Sequence, residues 1–218
     1  MSKVILTTTS SQNFIDDIAY MARVSNPSNQ KNTDTSEKLI RYLIKHAHWS
    51  PFEMCSITME INTTRDIAHQ IVRHRSFTFQ EFSQRYADPA EMGYPFELRE
   101  TRLQDPKNRQ NSIQIQDDRL DNDWKGYQEN VLKAAQGAYD WALRNGIAKE
   151  QARAVLPEGL TRTRLYMQGT LRSWLHFIQT RTTPGTQLEH MEVARQCADV
   201  IRPLFTMVDD FVHDKEIV

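Results

Sequence analysis

The chain has 218 residues, with 27 Lys and Arg against 28 Asp and Glu, a formal net charge of −1. Apolar residues make up 39% and charged residues 25%, an ordinary globular composition that fits one domain over 1–218 and excludes disorder, collagen and coiled coil. So small a net charge argues against a general binder of nucleic acid or of membrane surfaces.

The start, Met1-Ser2-Lys3-Val4-Ile5-Leu6, turns polar too soon for a signal peptide, and no run approaches a membrane span. Cys55 and Cys197 lie far apart and outside any C-x-x-C pair, so neither a disulfide framework nor a zinc knuckle is expected and the cytoplasm is the expected location. Val4 to Thr7 reads as a short strand. Asp34 with Glu37 reads as a capping box opening a helix through Leu39, Ile40, Leu43 and Ile44, which Pro51 ends. Ser56 to Ile61 alternates apolar and polar residues, the pattern of a half-buried strand. Thr64 opens a helix to about Arg75, with Ile67, Ala68, Ile71 and Val72 on one side and Arg65, Asp66, His69, Gln70 and Arg73 on the other.

Residues 76–98 read as extended chain and loops. The polar segment 99–123 reads as a loop, which at that length is functional or disordered. Trp124 to Asn145 predicts a long helix closed by Gly146, and Lys149 to Val155 a short helical piece stopped by Pro157. A helix is expected over 164–180 with Leu171, Trp174, Leu175 and Ile178 as its core stripe. Thr186 with Glu189 reads as a second capping box, opening a helix up to Pro203. About five helices and few strands give an α+β class.

Arginine outnumbers lysine 18 to 9, and a guanidinium offers phosphate and carboxylate oxygens a planar fork of donors. Arg73 and Arg75 flank His74 at a predicted helix end, where crowded like charges suit an anion between them. If 81–85 is extended, Glu81, Ser83 and Arg85 share one side and offer an acceptor, a hydroxyl and a guanidinium to a nucleotide. A solvated basic turn paired to Glu81 would read the same way. Arg172 and His176 share a helix face, and Arg181 ends that helix, where it either points into a cleft or caps the last carbonyls. Glycine-rich phosphate loops and H-E-x-x-H are absent, so no metal site is expected. His190 and His213 read as helix-surface residues, and Cys55 as a small buried hydrophobe.

Arg73-His74-Arg75, seven residues, then Ser83 resembles the signature of the flavin-dependent thymidylate synthases. The resemblance runs through Ala22-Arg23-Val24-Ser25, His48-Trp49-Ser50-Pro51-Phe52-Glu53, the Gln104–Ser112 segment, Arg153-Ala154-Val155-Leu156-Pro157, and Leu171-Arg172-Ser173-Trp174 to Arg181. It implies a mixed or antiparallel sheet packed with several long helices, in a homotetramer with active sites between subunits. It also implies methylation of dUMP to dTMP on FAD, with methylenetetrahydrofolate as carbon donor and NADPH as reductant. By position, Ser50, Arg73, His74, Arg75, Glu81, Thr170, Leu171, Arg172 and His176 would touch FAD, with His48 near flavin and folate. The dUMP would meet Gln70, Ile71, Val72, Arg73, Glu81, Phe82, Ser83, Gln84, Arg85, Arg153 and Arg181. Thr78 and Gln80 stand where Ser and Asn are usual, His176 stands where many members carry Asn, and Thr170 lies beside a one-residue insertion.

Arg181 is the candidate catalytic group, stabilising negative charge on the N3–O2 edge of uracil so that C5 becomes electron-rich. Arg85 and Arg153 would clamp the phosphate. The rival readings are a related flavin-dependent methylase acting on UMP and a non-catalytic Arg-rich RNA-binding protein.

Overall fold

A computed structural model describes residues 1–93 and 95–213. The chain opens with strand β1 (Lys3–Thr9) and helix α1 (Phe14–Ala22), then α2 (Ser36–Lys45), β2 (Ser56–Thr64), α3 (Arg65–Ile71) and β3 (Thr78–Glu81). A small antiparallel hairpin, β4 (Arg102–Gln104) and β5 (Ser112–Gln114), precedes the long α4 (Asp118–Arg144) and short α5 (Lys149–Ala152). Strand β6 (Arg162–Thr170) runs directly into α6 (Leu171–Arg181), and α7 (Leu188–Ile201) follows.

The main sheet has the order β1-β2-β6-β3, every neighbouring pair antiparallel. Its alternation decides the layers. Ile57, Met59 and Ile61 of β2 and Leu165 and Met167 of β6 are buried on the face that α3, α6 and α7 cover. The opposite face is polar: Tyr166 donates to Glu60 Oε2 at 2.8 Å and Arg164 to Asn62 Oδ1 at 3.0 Å. Trp174 anchors α6 to the sheet, fully buried with its Nε1 donating to Ile57 O at 3.1 Å.

The α+β class with an antiparallel sheet holds, as do the strands near Val4 and Ser56 and the Gly146 helix stop, where Gly146 takes φ +75°. Several boundaries differ. The helix expected over 164–180 is a strand to Thr170, because Thr163, Leu165, Met167 and Gly169 alternate inward and only the positions from Leu171 follow helical spacing. The 99–123 loop contains the hairpin, whose turn is held by Asp105 accepting from Lys107 N, Asn108 N and Asn111 Nδ2, and α4 begins six residues before Trp124.

Neither predicted capping box forms. Glu37 is taken by Arg41 at 2.9 Å, and Glu189 by Arg99 and Arg102. Helix α2 stops at Lys45 well before Pro51: Ala47 takes φ +55°, and Ala47 N and His48 N donate back to Ile44 O and Leu43 O. There are seven α-helices among the described residues rather than about five.

Candidate active site

Helix α3 ends at Ile71, so Arg73, His74 and Arg75 lie in the turn before β3 and not on a last helical turn as expected. The turn divides them. Arg73 and Arg75 are exposed, while the His74 ring turns inward, edge-on to Phe177 at 5.0 Å. Arg181 Nε donates to His74 Nε2 at 2.8 Å. A ring nitrogen that accepts carries no proton, so His74 is neutral with its hydrogen on Nδ1. Burial first, then the charge of Arg181 and of His176, pushes its pKa down to about 4.

Arg181 is the last residue of α6 and half-buried. Its pKa is held below the ordinary guanidinium value by burial and then by Arg73. The like charge of Arg73 near the half-buried Arg181 makes an anion welcome there. Toward the start of the same helix, Arg172 and His176 line a cleft of about 400 Å³ together with Trp49, Glu53, Ser76 and Phe211. Arg172 pairs with Glu53 across its rim. Ser50 and His48 are exposed in the adjoining turn. Thr170 caps α6 by accepting from Ser173 N at 3.2 Å, and Leu171 is buried with its N–H on Cys55 O.

The Glu81–Arg85 stretch is not extended throughout. Strand β3 stops at Glu81, and Ser83 O accepts from Tyr86 N and Ala87 N, which folds 83–87 into a turn. Glu81, Ser83 and Arg85 therefore do not share one side of a strand. Glu81 accepts from Thr163 Oγ1 at 2.8 Å and pairs with Arg65 at 3.4 Å. Phe82 N bonds Arg164 O, and Gln84 is buried with its Nε2 lacking a protein partner.

Arg85 lies 3.7 Å from Glu150 of α5, the short helix that leads into Arg153. The candidates thus fall at the end of α6 (His74 and Arg181, with Arg73 and Gln70 near them), at the cleft along the start of α6 (Arg172, His176) and at α5 (Arg85, Arg153). Among the described residues no hydrogen bond or ion pair joins them. Ile71 is buried and contributes only backbone to any site, whereas Val72 is partly exposed.

Sequence reasoning missed three neighbours. His190, expected on a helix surface, is fully buried, because it shares a stripe with Val193, Ala194, Cys197 and Ile201. That helical spacing was the available signal. Gln187 and Glu189 connect it to the site, with Gln70 Nε2 donating to Gln187 Oε1 at 2.7 Å. A second groove of about 890 Å³ lies between the hairpin and the loop after Arg181, lined by Arg102, Arg109, Trp124, Gly185, Gln187 and Arg195 among others.

Both cysteines are buried and unpaired. Desolvation, then Asp17, raises the Cys55 thiol to about 11, and desolvation, then Asp199, raises Cys197 further. Neither is an available thiolate.

Residues 5–205 match the family described as thymidylate synthase complementing protein. The chain is 48% identical over 183 residues to a probable flavin-dependent thymidylate synthase of Paramecium bursaria Chlorella virus 1, covering 84% of this chain and 83% of that one. It is 47% identical over 191 residues to a flavin-dependent thymidylate synthase of Synechocystis, covering 88% and 86%. The fold superposes with a TM-score of 0.80 and 26% identity on a UMP/dUMP methylase, PolB of Streptomyces cacaoi, bound with 5-Br dUMP, over 96% of this chain and 93% of that one. The chain belongs to the flavin-dependent thymidylate synthase family.

Proposed function

We propose that this protein reductively methylates dUMP to dTMP on FAD, taking the carbon from methylenetetrahydrofolate and the electrons from NADPH. The observation that carries the reading is Arg181 held on neutral His74, with the charge of Arg73 near it, at the end of the helix whose first turns line a cleft with Arg172 and His176. The donor set fits a flavin dinucleotide. Exposed guanidinium groups of Arg73, Arg75 and Arg172 and the Ser50 hydroxyl suit a pyrophosphate, and the aromatic wall of Trp49 and Phe211 suits a planar ring. His48, exposed next to Trp49, would meet the folate. When bound, reduced flavin supplies the hydride chemistry.

Uracil C5 is a weak nucleophile, and adding a thiolate to C6 is one way to activate it. Both thiols here are buried and held protonated, so activation falls to charge. Arg181 donates toward the N3–O2 edge and stabilises the negative charge that makes C5 electron-rich. Neutral His74 holds the Nε of Arg181 and leaves its other nitrogens for that edge. Arg85 and Arg153 take the phosphate, and Gln70 with the Glu81–Ser83 stretch takes the sugar and base. Ser83 binds and does not attack.

The reading includes a site assembled from more than one copy of the chain. Helix α4 supplies a surface for such assembly: Leu120, Trp124, Tyr127 and Val131 are exposed along one stripe. A homotetramer with active sites between subunits is therefore part of the proposal, as is one catalytic domain over 1–218. A cytoplasmic location is supported by the free thiols, and no helix among the described residues is long and apolar enough to cross a membrane.

The test is an absorbance spectrum of the purified protein, its bleaching by NADPH, and its recovery on adding dUMP with methylenetetrahydrofolate. Product analysis with dUMP and UMP side by side assigns the nucleotide. A colourless protein that takes up no FAD, or one that binds RNA with steep salt dependence and makes no dTMP, overturns the reading.

A further inference from the structure

A carboxylate can only accept hydrogen bonds, and this fixes a chain of polar groups running from Glu189 into the site. Glu189 faces Arg99 and Arg102. It therefore takes the amide nitrogen of Gln187, whose Nε2 donates to Oε2 at 3.0 Å. That turns Gln187 Oε1 toward Gln70, which donates from Nε2 at 2.7 Å. Gln70 Oε1 is left facing His190 Nδ1 at 3.1 Å. Reversing either amide would set two donors or two acceptors against each other, so the ion pair at one end dictates both amides and places the His190 proton on Nδ1.

His190 is fully buried, its ring against Phe177 at 5.7 Å and His74 at 6.4 Å, so it cannot touch a ligand itself. Gln70 is only partly buried and keeps one N–H and one lone pair free.

We propose that His190 is a positioning residue which, together with Gln187 and Glu189, locks the Gln70 amide in one orientation and so sets the affinity for the pyrimidine nucleotide without contacting it. The inference rests on the proposal that Gln70 meets that nucleotide.

Steady-state kinetics on the flavin-loaded enzyme test it. His190→Phe keeps a ring on Phe177 and His74 but removes the donor; KM for dUMP should rise roughly 5- to 20-fold with kcat and flavin absorbance little changed. His190→Asn returns an N–H near the Nδ1 position and should bring KM most of the way back, whereas His190→Gln, which reaches toward the Nε2 position, should not. Gln70→Ala should raise KM at least as much as His190→Phe, and combining the two should add little. An unchanged KM in His190→Phe beside a raised one in Gln70→Ala overturns the inference. Equal loss in the Phe, Asn and Gln variants, or loss of flavin in all three, assigns His190 to packing and overturns it as well. An unchanged KM in Gln70→Ala removes Gln70 from the nucleotide site, and that distinct failure belongs to the reading beneath.

Discussion

A guanidinium that donates to a neutral imidazole keeps its full charge, and this sets Arg181 apart from the arginines paired to carboxylates. Arg99, Arg102, Arg172 and Arg202 each face an acidic partner, whereas Arg181 faces His74 and the like charge of Arg73. Such an arrangement suits a group that must meet negative charge developing in a substrate. Arg181→Ala should lower kcat by roughly 10²- to 10³-fold while the flavin absorbance survives purification. Turnover at the wild-type rate would remove the catalytic role. The buried thiols give the complementary test. Cys55→Ala and Cys197→Ala should both turn over at close to the wild-type rate, and a folded variant of either that binds flavin but makes no dTMP would restore a thiolate step.

Among the elements, β6 and its direct continuation α6 matter most. The strand is central to the sheet, and the helix that grows from it carries Arg172, His176 and Arg181 along successive turns. What lets β6 pass beneath the signature turn is Gly169, where a Cβ would overlap the ring of Phe77. Phe77 in turn packs on Trp174 at 4.8 Å. Gly169→Ala should therefore force the ring and the neighbouring turn to shift, costing about 1–3 kcal/mol and lowering Tm by roughly 3–10 °C. A thermal melt reads this directly, and an unchanged Tm would show that the ring yields freely. Reading a helix across 164–170 overlooked this glycine and the threonines around it, residues that favour a strand where another backbone or ring comes close.

For the molecule as a whole, two inward-facing histidines, His190 fully buried and His74 half-buried, should weaken the fold in acid. His74 is pushed down to about 4 and His190 to about 3, burial being the first cause in each, with Arg181 next. The unfolded chain takes up these protons near 6.5, so between that pH and about 4 it binds more protons than the folded one. Their stabilising effect is complete above 6.5 and is lost as pH falls. Carboxylates held low, such as Glu60 and Glu189, act only below their ordinary value of 4.5. A melt at pH about 5.5 should therefore lie below one at pH about 7.5, and His190→Asn should narrow the gap. The proposed assembly belongs to this scale as well. Trp124→Glu with Tyr127→Glu, both on the exposed stripe of α4, should leave the chain folded but shift light scattering to a smaller species with reduced turnover. A tetramer that persists would place the subunit contact elsewhere.

By itself the sequence determined the α+β class, the strand at Ser56, the stripe of α6, the lack of a usable thiol and the family, because alternation, helical spacing and R-H-R with Ser83 are patterns carried by near neighbours in the chain. Only the tertiary structure decided that His74 turns inward onto Arg181 across more than a hundred residues, that Glu81 is claimed by Thr163 and Arg65, and that His190 is buried against Gln70. Competition unmade both capping boxes too, since a guanidinium binds a carboxylate more strongly than a backbone N–H does: Glu37 took Arg41 four residues on in its own helix, and Glu189 took the distant Arg99 and Arg102. Local pattern specifies which residues make an element. Which side chains then meet is set by how those elements pack, and a long-range charged partner outcompetes a local neutral one.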